Sequence, residues 1–100
     1  MFIAILDLCT AADDRPTARA QLLAERPAVR AMPGCIDFRV FEAPDDDRRL
    51  TVLHEWADRA SFDAYTASNE FARSGEVIFP LVAEPPVSRR FEAHLLEVVD

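Results

Sequence analysis

Few residues in this chain are suited to chemistry: two histidines, one tyrosine, one tryptophan and two cysteines. The densest grouping is Leu50-Thr51-Val52-Leu53-His54-Glu55-Trp56. In a strand, alternate residues share a face, so His54 stands with Trp56, Val52 and Leu50. An imidazole ordinarily titrates at about 6.5, which makes His54 the natural candidate for a general base at neutral pH. Its apolar neighbours would supply the wall of a pocket that orients a ring and limits water. Tyr65 and Arg39 could stabilise an anion formed there. Glu70 could orient His54 or accept a hydrogen bond from Tyr65. Phe38 and Phe71 complete the candidate substrate wall with Val52 and Trp56. Strand alternation alone leaves open whether Arg39 points to the same side. Each residue also has a plainer reading: His54, Trp56 and Tyr65 as packed core, Glu70 as a carboxylate at a helix start, and Arg39 as a partner of Asp37 or Glu42.

Positioning these groups falls to a short series of elements. Met1 to Cys9 reads as a strand, with Phe2, Ala4, Leu6 and Leu8 on one face and Ile3, Ile5 and Cys9 on the other. Asp13, Asp14 and Pro16 mark a helix start. That helix runs from Arg15 to about Arg26 with Leu22 and Leu23 inward, is kinked or stopped at Pro27, and can continue its apolar face through Val29 and Met32. Pro33-Gly34 ends it. Cys35 to Ala43 is a second strand, with Ile36, Phe38 and Val40 on one face, and Leu50 to Trp56 a third, joined by a polar turn through Asp45-Asp46-Asp47. Helical stretches follow from Arg59 to about Ser68 and from Glu70 to about Phe79, then a strand from Val87 to Ala93 and an apolar tail from His94 to Asp100. The order β-α-β-β-α-β predicts an α+β, ferredoxin-like domain over residues 1–100, an antiparallel sheet with helices on one face. The opposite face keeps large apolar groups, more than a monomer usually exposes. A second copy packed sheet against sheet is the simplest cover, with Leu95, Leu96, Val98 and Val99 reaching across the seam. The alternative is a monomer whose tail folds over its own sheet.

Composition narrows the function classes. Net charge is -7 and every basic residue is arginine. An acidic chain is a poor match for nucleic acid, whose phosphates need a basic face, and equally for an anionic membrane surface. No run approaches a membrane span. Phe2–Leu8 lacks a preceding positive charge and contains Asp7, so it is not read as a secretory leader. Cys9 and Cys35 form no metal motif, and the expectation is a cytoplasmic protein with reduced thiols rather than a disulfide. No metal or cofactor is expected from the motifs.

Three segments resemble the antibiotic biosynthesis monooxygenase (ABM) family. Met32-Pro33-Gly34-Cys35-Ile36-Asp37-Phe38 is similar to that family's entry into its second strand. Leu50 through Asp58 is similar to its third strand and Trp-x-Asp exit. Ser61-Phe62-Asp63-Ala64-Tyr65 with Ser68-Asn69-Glu70-Phe71 is similar to its second-helix signature. The resemblance implies a dimeric α/β barrel and cofactor-independent monooxygenation of a small aromatic substrate, polyketide- or quinol-like. The chain departs from the family at its polar positions: His54 stands where Glu is usual, Tyr65 where His is usual, and Glu70 where a second His is frequent. Haem-degrading relatives use a histidine after the second helix and an Asn on the first strand. Residues 71–75 and 1–9 contain neither. Quinone-forming relatives pair an Asn with a Trp on strand three, and here only Trp56 is present. Three functions therefore stand at this level: a monooxygenase with His54 as base, a non-catalytic small-molecule-binding or accessory homodimer, and an isomerase or cyclase using the same pocket.

Overall fold

The computed structural model describes residues 1–100. Strand β1 (Phe2–Cys9) leads through a 3-10 turn at Ala12–Asp14 into helix α1 (Arg15–Arg30). Strands β2 (Cys35–Glu42) and β3 (Arg49–Trp56) form a hairpin. Helices α2 (Arg59–Thr66) and α3 (Asn69–Ile78) follow, then a 3-10 turn at Phe79–Leu81 and strand β4 (Val87–Glu92). The four strands form one antiparallel sheet in the order β2-β3-β1-β4. This is the predicted ferredoxin-like α+β arrangement, and its helices cover one face.

The local chemistry explains most boundaries. Gly34, at φ +81°, occupies the left-handed region that ends the α1 segment. Asp58 caps α2 by accepting from the Ser61 N–H at 2.8 Å, and the Ser68 hydroxyl caps α3 by accepting from the Phe71 N–H at 3.2 Å. The Asp14 side chain makes no cap bond, because the 3-10 turn before α1 already delivers the chain in helical geometry. Pro27 does not stop α1. It sits inside a continuous helix whose inner stripe is Ala18, Leu22, Glu25 and Val29. That spacing turns Leu23 outward, 45% exposed, contrary to the expectation that it faces in.

The register sets the sheet surface beneath the helices. Phe38, His54, Ala4 and Arg90 form one transverse row across all four strands, and Val40, Val52, Leu6 and Ser88 form the next. A bulge between Cys35 and Asp37 leaves Ile36 unpaired and exposed, so it does not share the face of Phe38 and Val40. Phe2, Leu22, Val29, Phe38, Leu50, Val52, Trp56 and Phe62 anchor the core between sheet and helices. Burial of each such side chain contributes roughly 1.5–3 kcal/mol. Ile3, Ile5, Leu53, Phe41, Val87 and Phe91 lie on the opposite face, the last three exposed. The tail after β4 has no regular secondary structure. Its Leu95, Leu96, Val98 and Val99 side chains are 66–92% exposed, so it does not fold over its own sheet.

Candidate functional site

A cavity of about 290 Å³ lies between the helices and the sheet, at the low end of the range of roughly 300–1,000 Å³ common for small-molecule sites. The sheet contributes Phe38, Val52, His54 and Leu6, the inward residues of the two transverse rows. Ala4, between His54 and Arg90 in its row, is fully buried, and its methyl group fills little of the space between them. Each helix adds residues at helical spacing: Leu22 and Glu25 from α1, Phe62, Tyr65 and Thr66 from α2, and Phe71, Ser74, Gly75 and Ile78 from α3. Exposed Phe79, Ser88 and Arg90, with half-buried Pro86 among them, mark the open side beside β4.

His54 is 5% exposed and ringed by aromatic groups, its centroid 5.5 Å from both Phe38 and Phe62 and 5.7 Å from Tyr65. The Trp56 indole N–H donates to its Nδ1 at 2.9 Å. An indole nitrogen can only donate, so Nδ1 must be an acceptor and the neutral ring carries its proton on Nε2. Burial, reinforced by the positive charge of Arg90, lowers the His54 pKa to about 4. The imidazole is therefore neutral at physiological pH, and Nε2–H is its remaining polar group. Trp56 itself is wholly buried and stacks on Tyr65 at 5.3 Å, supporting the wall from behind rather than lining it. Tyr65 lines the cavity, and burial, with the nearby Glu25 charge, pushes its phenol pKa up. It remains a neutral O–H donor.

Glu25 is one of two ionisable cavity residues that the sequence reading missed. It is 8% exposed, lines the cavity, and accepts a hydrogen bond from the Ser74 hydroxyl. Gln21 Nε2 donates to that same hydroxyl oxygen at 3.1 Å, which fixes the Ser74 proton toward Glu25. Burial, partly opposed by the Ser74 bond, raises the Glu25 pKa above the ordinary carboxylate value. The available signal was the 3-4 spacing of Ala18, Leu22, Glu25 and Val29, which puts a carboxylate in the apolar stripe of α1. Arg90 was missed for a different reason: its cavity-facing position depends on the β1–β4 register. Its guanidinium lies 4.8 Å from the centroid of the Phe62 ring.

The structure thus gathers His54, Tyr65, Val52, Phe38 and Phe71 around one space. Of the other three expected members, Trp56 backs the wall without lining it, and two are elsewhere. Arg39 alternates with Phe38 and so lies on the opposite sheet face, where it contacts Glu55 at 3.2 Å and Asp37 at 3.3 Å. Glu70 falls off the cavity stripe of α3, which runs through Phe71, Ser74 and Ile78, and contacts Arg73 at 3.6 Å. Its charge still reaches Glu25 and helps to raise that group's pKa. No three His, Cys, Asp or Glu side chains converge as metal ligands, and both cysteines are free. No helix is long and apolar enough to cross a membrane.

Comparison with known proteins agrees with this architecture. A family model described as antibiotic biosynthesis monooxygenase matches residues 1–76. Rv0793 from Mycobacterium tuberculosis is 22% identical, with a TM-score of 0.86 over 98% of each chain. A protein from Deinococcus radiodurans whose description carries the same family name is 17% identical, with a TM-score of 0.90 over 100% of this chain and 99% of that one. PA3566 from Pseudomonas aeruginosa is 16% identical, with a TM-score of 0.83 over 94% of each chain. No curated protein sequence matches. At these identities the structural neighbours establish the fold alone, and the family assignment rests on the sequence match over residues 1–76. The chain belongs to the antibiotic biosynthesis monooxygenase family.

Proposed function

We propose that this protein is a cytoplasmic homodimer that binds a small, hydroxylated aromatic molecule in the cavity and oxygenates it without a cofactor. The observation that carries this reading is an apolar cavity whose few polar groups are neutral donors and one buried carboxylate, with Arg90 at its open side. A phenolic ring deprotonated in such a space becomes electron-rich enough to give an electron to oxygen. His54 Nε2–H and the Tyr65 phenol are suited to hold the resulting oxyanion. His54 is a poor base in this setting, because its Nδ1 lone pair is engaged by Trp56 and its pKa is about 4. Its proposed role is accordingly to stabilise charge rather than to take the proton. In the overall reaction, a ring CH2 of the substrate's keto tautomer and O2 become a carbonyl and water. The substrate supplies all the electrons.

The dimer is proposed from the uncovered sheet face. Ile3, Ile5 and Leu53 form an apolar centre flanked by Phe41, Val87 and Phe91, with Asp7–Arg89 and Glu55–Arg39 ion pairs among them. A second copy would cover this face, and the exposed tail would have apolar surface to dock on. The weak basicity of His54 also favours a second reading, a dimer that binds the same ligand class without turnover. Oxygen-electrode assays with 1-naphthol and anthrone separate the readings. The first expects one O2 consumed per carbonyl formed. Saturable binding with no oxygen uptake leaves the binding dimer, and a product formed anaerobically indicates isomerase or cyclase chemistry.

A further inference from the structure

We propose that Glu25 is the proton-accepting group of this cavity, taking the hydroxyl proton of a bound phenolic ring. The inference rests on the reading of the cavity as a site for hydroxylated aromatics and adds the base that reading lacks.

A carboxylate buried for structural reasons is normally paired with a cation, since an uncompensated buried charge is strongly destabilising. Glu25 has no cation within 4.0 Å, although the chain forms ten other such ion contacts. What it has instead is a directed chain: Gln21 N–H donates to Ser74, and Ser74 O–H donates to Glu25 Oε2. That chain holds the carboxylate in one orientation at the cavity wall without neutralising it. The Tyr65 hydroxyl also acts on it, through a single proton that goes either to Glu25 or to a ligand oxygen. A carboxylate offers about four acceptor positions, so capacity remains for a ligand hydroxyl. The groups facing it are Ser74 and Glu70 from α3 and Tyr65 from α2, with His54 and Arg90 on the sheet-side wall of the same cavity. Burial and Glu70 both favour its protonated form, which brings its proton affinity nearer to that of a phenol than an exposed carboxylate's.

The step is a proton transfer. The ligand O–H bond breaks, its electron pair stays on the ligand oxygen, and an O–H bond forms on Glu25, which becomes a neutral carboxylic acid. His54 Nδ1 cannot compete for the proton while Trp56 donates to it.

The test uses 2-naphthol, whose hydroxyl becomes strongly acidic on excitation; the free probe gives its proton to water, so the emission of the bound probe is read after the free signal is subtracted. Bound to the wild-type protein, the probe is expected to show the naphtholate band, fading as pH falls through the Glu25 carboxyl's raised range. Glu25→Gln, compared at equal occupancy set from its own binding isotherm, should lose the band. Ser74→Ala removes a bond that lowers the Glu25 pKa, so the band's midpoint should move to higher pH. A bound probe that emits only as neutral naphthol in the wild type overturns the assignment, as does a naphtholate band that survives Glu25→Gln. If Glu25→Gln does not fold, an unchanged midpoint in Ser74→Ala overturns it. Failure of 2-naphthol to bind the wild-type protein at all refutes the cavity reading itself, and the assignment with it.

Discussion

The buried neutral histidine makes folding stability depend on pH in a way that can be calculated. In the unfolded chain His54 titrates at its ordinary value of about 6.5. In the folded protein burial and Arg90 lower this to about 4. Between those values the unfolded state binds more protons than the folded one, so stability rises with pH there and is lost as pH falls. The contribution is fully present above about pH 6.5 and is consumed progressively down to about pH 4. Integrating the linkage relation gives a loss of about 2.5 kcal/mol between pH 7.5 and pH 4.5 from this one group. Other groups titrate nearby. Glu25 opposes the trend, because its raised pKa makes the folded state gain stability as its carboxyl protonates. The depressed carboxylates Asp37, Glu42, Asp46 and Asp58 lose their stabilising interactions as the pH falls toward and through their folded pKa values. The clean comparison is therefore with His54→Gln, whose side-chain carbonyl can still accept from Trp56 but does not titrate. Urea unfolding of both proteins at half-unit steps from pH 7.5 to 4.5 should show their stability difference shrinking, or reversing, by about 2.5 kcal/mol, an order-of-magnitude value. Parallel curves, or a His54 imidazole resonance, assigned by its loss in His54→Gln, titrating near pH 6.5 in the folded protein, would refute the reasoning.

Three further outcomes follow from single contacts. Arg90→Gln removes the charge that helps to depress His54, so the imidazole pKa, read by NMR, should rise from about 4 while remaining below the ordinary value because burial persists. Gly34→Ala should destabilise the fold by more than about 1 kcal/mol in thermal or chemical unfolding. A Cβ there would lie 2.1 Å from Ser61 Oγ on a backbone at φ +81°. Leu53→Arg places a charge in the centre of the uncovered sheet face, and sedimentation velocity should report a shift from dimer to monomer with far-UV circular dichroism unchanged.

How far the sequence determined this protein differs between frame and site. Alternation in Phe2–Cys9 and Leu50–Trp56, the helix-start signal at Asp13, Asp14 and Pro16, and Pro33-Gly34 were enough to give the element order and the ferredoxin-like topology, because each is a local backbone preference. The same alternation put His54 beside Trp56, and helical spacing joined Phe62 to Tyr65. What depended on register or on distant partners was not legible. Alternation separates Arg39 from Phe38, but which of the two faces the helices needed the fold, and the bulge at Ile36 interrupts the strand pattern where local sequence gives no warning. Glu25 belongs to the cavity because Ser74, 49 residues away, completes its hydrogen bond, and Arg90 because β4 pairs with β1. The character of His54 was decided the same way. Sequence identifies an imidazole that titrates near neutrality, and only the tertiary structure buries it, brings Arg90 to the same cavity and turns the Trp56 N–H onto Nδ1. A proton affinity is a property of surroundings, and those surroundings are assembled from four strands and three helices.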